Sequence, residues 1–234
     1  MNTRACRCPI FIPMKWVLLI FIAGITITAA GQDYDSTVRP DIYPSKVALF
    51  RAGAHTKKDI VFLGNSVTFW ADWPELLRMR HIRNRGIPGD HTFGILERLD
   101  EVIEGQPKKV FILIGCNDIA RNFPDSVILR NYERITQRIK QGSPRTTIYW
   151  QTILPTNSSF NKLKNHYQPE RISRMNTQLK ALAGREKVHF IDLYSHFADA
   201  QGQLQARLTW DGVHLTKEGY DLWVEVLLKG RYLQ

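Results

Sequence analysis

Five short β-rich runs alternating with amphipathic helical stretches predict an α/β fold, in which one parallel sheet is covered by helices on both faces. Two further observations support that class. The strongest runs are continuously apolar, as strands buried on both faces are. The polar residues with the most chemistry follow directly after the ends of those runs, and in open sheets of this kind ligands gather outside the carboxyl ends of the strands. Right-handed crossovers leave few topologies for such a chain.

The elements follow in order. Residues 32–58 are polar and read as an irregular lead-in. The apolar run 60–63, closed by Gly64, predicts the first strand. Residues 73–80 predict a short helix and 81–84 a second, weaker strand. Ile95, Leu99, Val102 and Ile103 share one helical face that ends near Gly105 and Pro107. Residues 110–114 form the clearest strand of the chain. Ile128, Tyr132, Ile135 and Ile139 define the next helix, with Asp125 or Ser126 as its cap and Gly142-Ser143-Pro144 as its stop. Residues 147–152 predict strand four, and a polar segment occupies 155–169. Ile172, Met175, Leu179 and Leu182 mark a helix ended by Gly184, and 188–193 predict strand five. Tyr220, Trp223, Val224 and Leu227 form the apolar stripe of a last helix capped by Thr216.

The length of 234 residues suits one domain, and 44% hydrophobic residues suffice for a real core. Arg4, Arg7 and Lys15 precede an apolar run at 16–27, which small residues follow up to Gly31. This is the pattern of a cleavable export signal over residues 1–31, and the run is shorter than the roughly 20 residues that span a bilayer. An uncleaved N-terminal anchor is the alternative. The expected organisation is therefore a signal at 1–31, the lead-in at 32–58 and the folded domain at 59–234, exported to a periplasmic or extracellular location. Residues 1–31 hold three of the 32 basic residues and none of the 22 acidic ones, so the remainder carries +7. Its basic residues are scattered and no nucleic-acid motif accompanies them, which favours a solvated surface over a binding patch. Cys116 is the only cysteine beyond the leader, so no disulfide can form within the remainder.

Three loops carry the candidate chemistry. Ser66 follows the first strand at a turn, where its hydroxyl can project over the sheet edge beside N–H groups of a helix start. Alone, it reads first as an ordinary helix-capping serine. Asp211 stands three residues before His214, close enough to accept a hydrogen bond from Nδ1–H and leave Nε2 free to take a serine proton. Alone, the pair also suits a capped helix start. Asn117, after the clearest strand, can donate its amide to a developing oxyanion, and Gly89 can offer a backbone N–H from an approach open to glycine. Ordinary turn chemistry accounts for either one singly. His55, His81, His91, His166, His189 and His196 show no metal-ligand spacing. His91 is expected at the surface and Cys116 as a small buried residue. Trp70, Trp73, Phe93, Phe123 and Trp210 flank the motif loops, where they serve as core packing or as platforms for sugar rings.

Taken together, "IVFLGNSVTFW", "NRGIPGD", "IGCNDIA" and "DGVHLT" resemble blocks I, II, III and V of the SGNH (GDSL-like) hydrolases, in order, from Ile60 to Thr216. The resemblance implies a three-layer α/β/α sandwich of flavodoxin-like type with a five-stranded parallel sheet. It implies Ser66 as nucleophile, His214 as base and Asp211 as its orienting acid. The Ser66 N–H, the Gly89 N–H and the Asn117 side chain would form the oxyanion hole. No metal or organic cofactor is implied. One departure stands out: the first block usually reads Gly-Asp-Ser, and here Asn65 replaces the aspartate.

The resulting expectation is a serine esterase acting on small acyl esters through an acyl-serine intermediate. It resembles small exported bacterial esterases that remove acetyl groups from carbohydrates. Its substrate would be a small-molecule or carbohydrate ester, with no nucleic-acid partner and no stable membrane insertion once the leader is removed. Lysophospholipase or thioesterase activity is the nearest alternative, and a carbohydrate-binding module without turnover is a second.

Overall fold

The computed structural model describes residues 34–234, so the expected export signal lies outside the described residues. Five strands, β1 (Ile60–Gly64), β2 (Ile82–Gly86), β3 (Lys109–Leu113), β4 (Thr147–Gln151) and β5 (His189–Ile191), form one sheet. All neighbours pair in parallel, in the order β2-β1-β3-β4-β5. The chain reverses its direction of growth between β1 and β3, which is where ligands bind in sheets of this order. Around the sheet lie α1 (Tyr43–Ala52), α2 (Ser66–Phe69), α3 (Trp73–Leu77), α4 (Thr92–Gly105), α5 (Cys116–Ala120), α6 (Asp125–Gly142), α7 (Pro169–Glu186), α8 (Tyr194–Phe197) and α9 (Lys217–Lys229).

Strand side chains alternate between faces, and the two faces have separate cores. Val61, Leu63, Val110 and Ile112 pack with Ile95, Leu99, Ile128, Ile135, Met175 and Leu179, which places α4, α6 and α7 on one side. Ile60, Phe62, Phe111 and Tyr149 pack with Trp73, Leu77, Tyr220, Trp223 and Leu227, which places α3 and α9 on the other. On that side Phe62 stacks between Trp73 (ring centroids 4.0 Å apart) and Phe111 (5.0 Å). The layering follows directly from the apolar periodicity of each helix. Thr216 caps α9 as expected, its side chain accepting the Gly219 N–H at 3.3 Å.

Three local expectations are corrected. Residues 43–52 of the lead-in are helical, and Tyr43, Val47 and Phe50 are buried with Ile87. The Tyr43 hydroxyl donates to the Gly94 carbonyl at 2.7 Å, so α1 is tied to α4. The exposed Leu49 lies off the stripe of Tyr43, Val47 and Phe50, which blurs the apolar pattern of this segment. The cap of α6 is Pro124, with no side-chain bond; Asp125 instead pairs with Arg171 and Arg174 of α7. Gly184 does not end α7, which continues to Glu186 and closes on Lys187 in the left-handed region (φ 51°). A single glycine costs a helix only about 1 kcal/mol, too little to stop it unaided, and the left-handed residue that closes this one is Lys187. Among the described residues no helix is long and apolar enough to cross a membrane.

Candidate active site

Ser66 is the first residue of α2, immediately after β1. Asn65 caps the turn by accepting the Val67 N–H at 3.0 Å, and the Ser66 N–H, at a helix start, has no carbonyl within α2 to receive it. The far end of this single turn is held equally firmly. Asn84 Nδ2 donates to the carbonyls of Thr68, Phe69 and Ala71, the Trp73 indole N–H also donates to Thr68 O, and the Tyr220 hydroxyl donates to Val67 O. A four-residue helix is unstable by itself; here side chains from β2, α3 and α9 fix it. Sequence reading did not find Asn84, which sits mid-strand.

The structure brings Ser66 and His214 together across 148 residues: Ser66 Oγ lies 2.8 Å from His214 Nε2. His214 Nδ1 lies 2.6 Å from Asp211 Oδ2, and Asp211 Oδ1 accepts the backbone N–H groups of Val213 and His214. A carboxylate facing Nδ1 requires the proton on that nitrogen, so Nε2 presents its lone pair to the serine. Burial pushes the Asp211 carboxyl up, but the hydrogen bonds from the His214 ring and from the two backbone N–H groups outweigh it, and the net shift is downward. Asp211 therefore stays ionised beside the imidazole. The indole of Trp210 stacks on the His214 ring at 5.1 Å and 16°, leaving the ring one face.

On the opposite flank, Asn117 Nδ2 donates to Asp90 O at 2.8 Å, which joins α5 to the loop carrying Gly89. Gly89 occupies the left-handed region (φ 76°), a conformation that favours glycine, in a turn closed by the Asp90 N–H to Ile87 O bond. Beneath it Asp90 and Arg98 form a fully buried ion pair, and Arg98 also donates to Gly64 O and Arg85 O. One guanidinium thus ties the ends of β1 and β2 to the Gly89 turn. Asp118 accepts from the Thr92 N–H and hydroxyl and so supplies α4 with the cap its own sequence lacks.

Other expectations divide. Cys116 is buried, and burial pushes its thiol up to about 12, so it is no nucleophile at neutral pH. His91 is not a surface residue: it is fully buried against Phe123, its Nε2 lies 2.9 Å from Val38 O, and burial lowers it to about 4. Trp73 and Phe123 belong to the core, whereas Trp70 (57% exposed) and Trp210 (52%) stand open to solvent. Both line a groove of about 470 Å³ with Ala71, Leu76, Leu215 and Tyr220, rimmed by Asp72, Glu75 and Lys217. On β2, Arg83 and Arg85 pair with Asp59 and Glu101. Among the described residues no group of three or more His, Cys, Asp or Glu is arranged to hold a metal.

Asn65 is fully buried, and its Nδ2 donates to Cys116 Sγ at 3.1 Å. Aspartate there keeps the acceptor for the Val67 N–H but brings a charge into a dry site. Asn65→Asp is expected to cost about 1–3 kcal/mol of stability, read by chemical denaturation. It should change kcat/KM for a p-nitrophenyl ester by less than about tenfold. A gain of a hundredfold would mark Asn65 as a lesion.

A parallel α/β sheet that presents a serine, an imidazole and a carboxylate bonded in series at its carboxyl edge has the arrangement of a serine hydrolase. The chain belongs to the GDSL-like lipase/acylhydrolase family, whose sequence model matches residues 53–222. The platelet-activating factor acetylhydrolase IB subunit alpha1 of Pongo abelii is 28% identical over 169 residues, covering 69% of this chain and 70% of its own length. Among solved structures, a Streptococcus pneumonia protein assigned as a platelet activating factor is 32% identical, with a TM-score of 0.74 over 82% of this chain and 91% of its own. A GDSL-like lipase from Bacteroides thetaiotaomicron is 25% identical, with a TM-score of 0.70 over 80% and 96%. The five-stranded α/β fold is that of the SGNH hydrolases.

Proposed function

We propose that the chain is an exported esterase that removes acetyl groups from carbohydrate esters through an acyl-serine intermediate on Ser66. The observation that carries this reading is the unbroken series Ser66 Oγ, His214 Nε2, His214 Nδ1 and Asp211 Oδ2, at 2.8 and 2.6 Å. Ser66 Oγ attacks the ester carbonyl carbon and its proton passes to His214 Nε2. The tetrahedral oxyanion is held by the Ser66 N–H, the Gly89 N–H and the Asn117 amide. As the C–O bond breaks, His214 returns the proton to the leaving alcohol. Water then attacks the acyl-serine, again losing its proton to Nε2, and the acid departs as Ser66 is regenerated.

The acyl and alcohol assignments rest on separate supports. Relatives 28% identical to the chain are acetylhydrolases, which favours acetyl. The two open indoles of the groove, of which Trp210 stacks on His214, with carboxylates and a lysine at the rim, suit a sugar ring that stacks on an aromatic face while its hydroxyls bond at the edge. The basic, apolar and small-residue order of residues 1–31 supports export. The apolar lining of the same groove favours a second reading, in which it receives a long acyl chain as in a lysophospholipase or thioesterase.

The test is a series of p-nitrophenyl esters followed by acetylated xylose oligomers. Acetyl esters should exceed octanoyl esters in kcat/KM by about tenfold or more, since one or two methylenes are already worth 1–3 kcal/mol in a fitted pocket. Trp210→Ala should raise KM for the acetylated oligomer and leave KM for p-nitrophenyl acetate nearly unchanged. Preference for the octanoyl ester would transfer the assignment to the long-chain reading.

A further inference from the structure

We propose that His166 is a positioning residue of this active site, holding the Asn117 carboxamide in the one orientation that can serve an oxyanion. The inference rests on the reading of Asn117 as an oxyanion donor and goes beyond it by assigning a second histidine to the site. His166 lies in the polar segment between β4 and α7, in a 3₁₀ turn at Lys164–His166, 49 residues from Asn117. Its Nε2 is 3.0 Å from Asn117 Oδ1, on the side of the carboxamide opposite the Nδ2 to Asp90 O bond.

The chemistry at the two ends of the amide is unambiguous. Asp90 O can only accept, so the amide nitrogen must face it; the amide oxygen then faces His166 and can only accept in turn. Nε2 of His166 therefore carries hydrogen, and Nδ1 is the bare nitrogen, buried with no protein partner. Burial, the larger influence, holds the imidazole below its ordinary range, and the nearby His214 acts in the same direction. His166 is thus a neutral, fixed donor, unlike His214, whose task requires it to gain and lose a proton. With one Nδ2 hydrogen committed to Asp90 O, the other is left for the substrate. A flipped amide would set oxygen against oxygen at Asp90 and hydrogen against hydrogen at His166. Without His166 only one contact opposes that flip, and a buried amide pinned at one end can rotate away from the serine.

The segment that carries His166 is itself braced against both halves of the site. Gln168 Nε2 donates to Ile119 O of α5, and the Thr156 hydroxyl donates to His166 O. At the other end of the segment the Asn157 N–H donates to Gly212 O at 2.8 Å. Gly212 has φ 93°, and a Cβ there would stand 2.4 Å from Asn157 O, so the loop of Asp211 and His214 accommodates this segment only as glycine. One stretch of chain thereby sets the distance between the oxyanion side and the base side.

A double-mutant cycle on the purified protein with p-nitrophenyl acetate tests the inference. His166→Phe keeps a flat ring and removes the donor; it should lower kcat roughly 10- to 30-fold with KM within about twofold, less than the 10²–10³ lost with an oxyanion donor itself. His166→Gln restores an N–H donor and should recover to within about threefold of the parent. Asn117→Ala should lose about 10²-fold or more, and adding His166→Phe to it should cost nothing further, because the histidine acts only through the amide. Equal losses in both backgrounds, or full kcat in His166→Phe, overturn the role of His166 while leaving Asn117 in place. A loss below about threefold in Asn117→Ala overturns the oxyanion reading and the role of His166 with it. If His166→Phe does not fold, His166→Ala, a truncation at a half-buried position, takes its place in the same cycle.

Discussion

Replacing Ser66 by alanine is expected to lower kcat for p-nitrophenyl acetate by about 10⁴-fold or more while the protein melts within a few degrees of the parent. The two halves of that expectation have different causes. Removing a nucleophile deletes the covalent route, and what survives is catalysis by the oxyanion donors and binding alone. Folding loses only the Ser66 Oγ to His214 Nε2 contact, and one such bond contributes about 0.5–1.5 kcal/mol net. The helix start does not depend on the hydroxyl, since the cap is the side chain of Asn65. A serine-directed fluorophosphonate should label the parent at Ser66 and leave Ser66→Ala untouched. Labelling at another residue, or substantial turnover by the variant, would remove Ser66 from the mechanism.

Asp211→Asn is expected to be more damaging than Asp211→Ala, although it is the smaller change. In the parent, Asp211 uses one oxygen for the Val213 and His214 N–H groups and the other for His214 Nδ1. Asparagine can keep the first oxygen in place, which presents its NH₂ to Nδ1. The ring must then accept at Nδ1 and carry its proton on Nε2, where it can no longer receive one from Ser66. Holding histidine in that tautomer costs on the order of 10⁴ in kcat. Alanine leaves the ring free to adopt either tautomer, so a loss nearer 10²-fold is expected, accompanied by lower stability because the two backbone donors lose a buried acceptor. His214→Ala should match the asparagine variant, since both remove the base. If Asp211→Asn retained more activity than Asp211→Ala, the carboxylate would be acting on the loop and not on the tautomer.

Much of the architecture is legible in the sequence. The strands were readable because β1 and β3 are buried on both faces and so appear as unbroken apolar runs, and α4, α6, α7 and α9 because each turns one apolar stripe to the sheet. The loops carrying Ser66, Asn117 and His214 could be placed at one edge because parallel strands send all their carboxyl ends the same way. The helix α1 is harder to read, because the exposed Leu49 blurs the stripe of Tyr43, Val47 and Phe50 that meets Ile87 and α4. The end of α7 is set elsewhere than the glycine suggests: Gly184 does not adopt a left-handed conformation, and Lys187 does.

By itself, then, the sequence determined the order of elements, the layers and the loops at the active edge, all of which depend on periods of two to four residues and on short motifs. The tertiary structure alone decided which side chains hold those motifs in place. Asn84 gathers the carbonyls of α2, Arg98 binds Asp90 and the ends of two strands, Trp210 covers one face of His214, and His166 reaches Asn117. Apart from the Trp210 stack, which is local to its loop, each of these contacts joins different elements or loops of the chain and exists only once the sheet has closed. A polar residue that bonds across such a distance leaves no periodicity behind, so its role appears only when the fold has set its partner beside it.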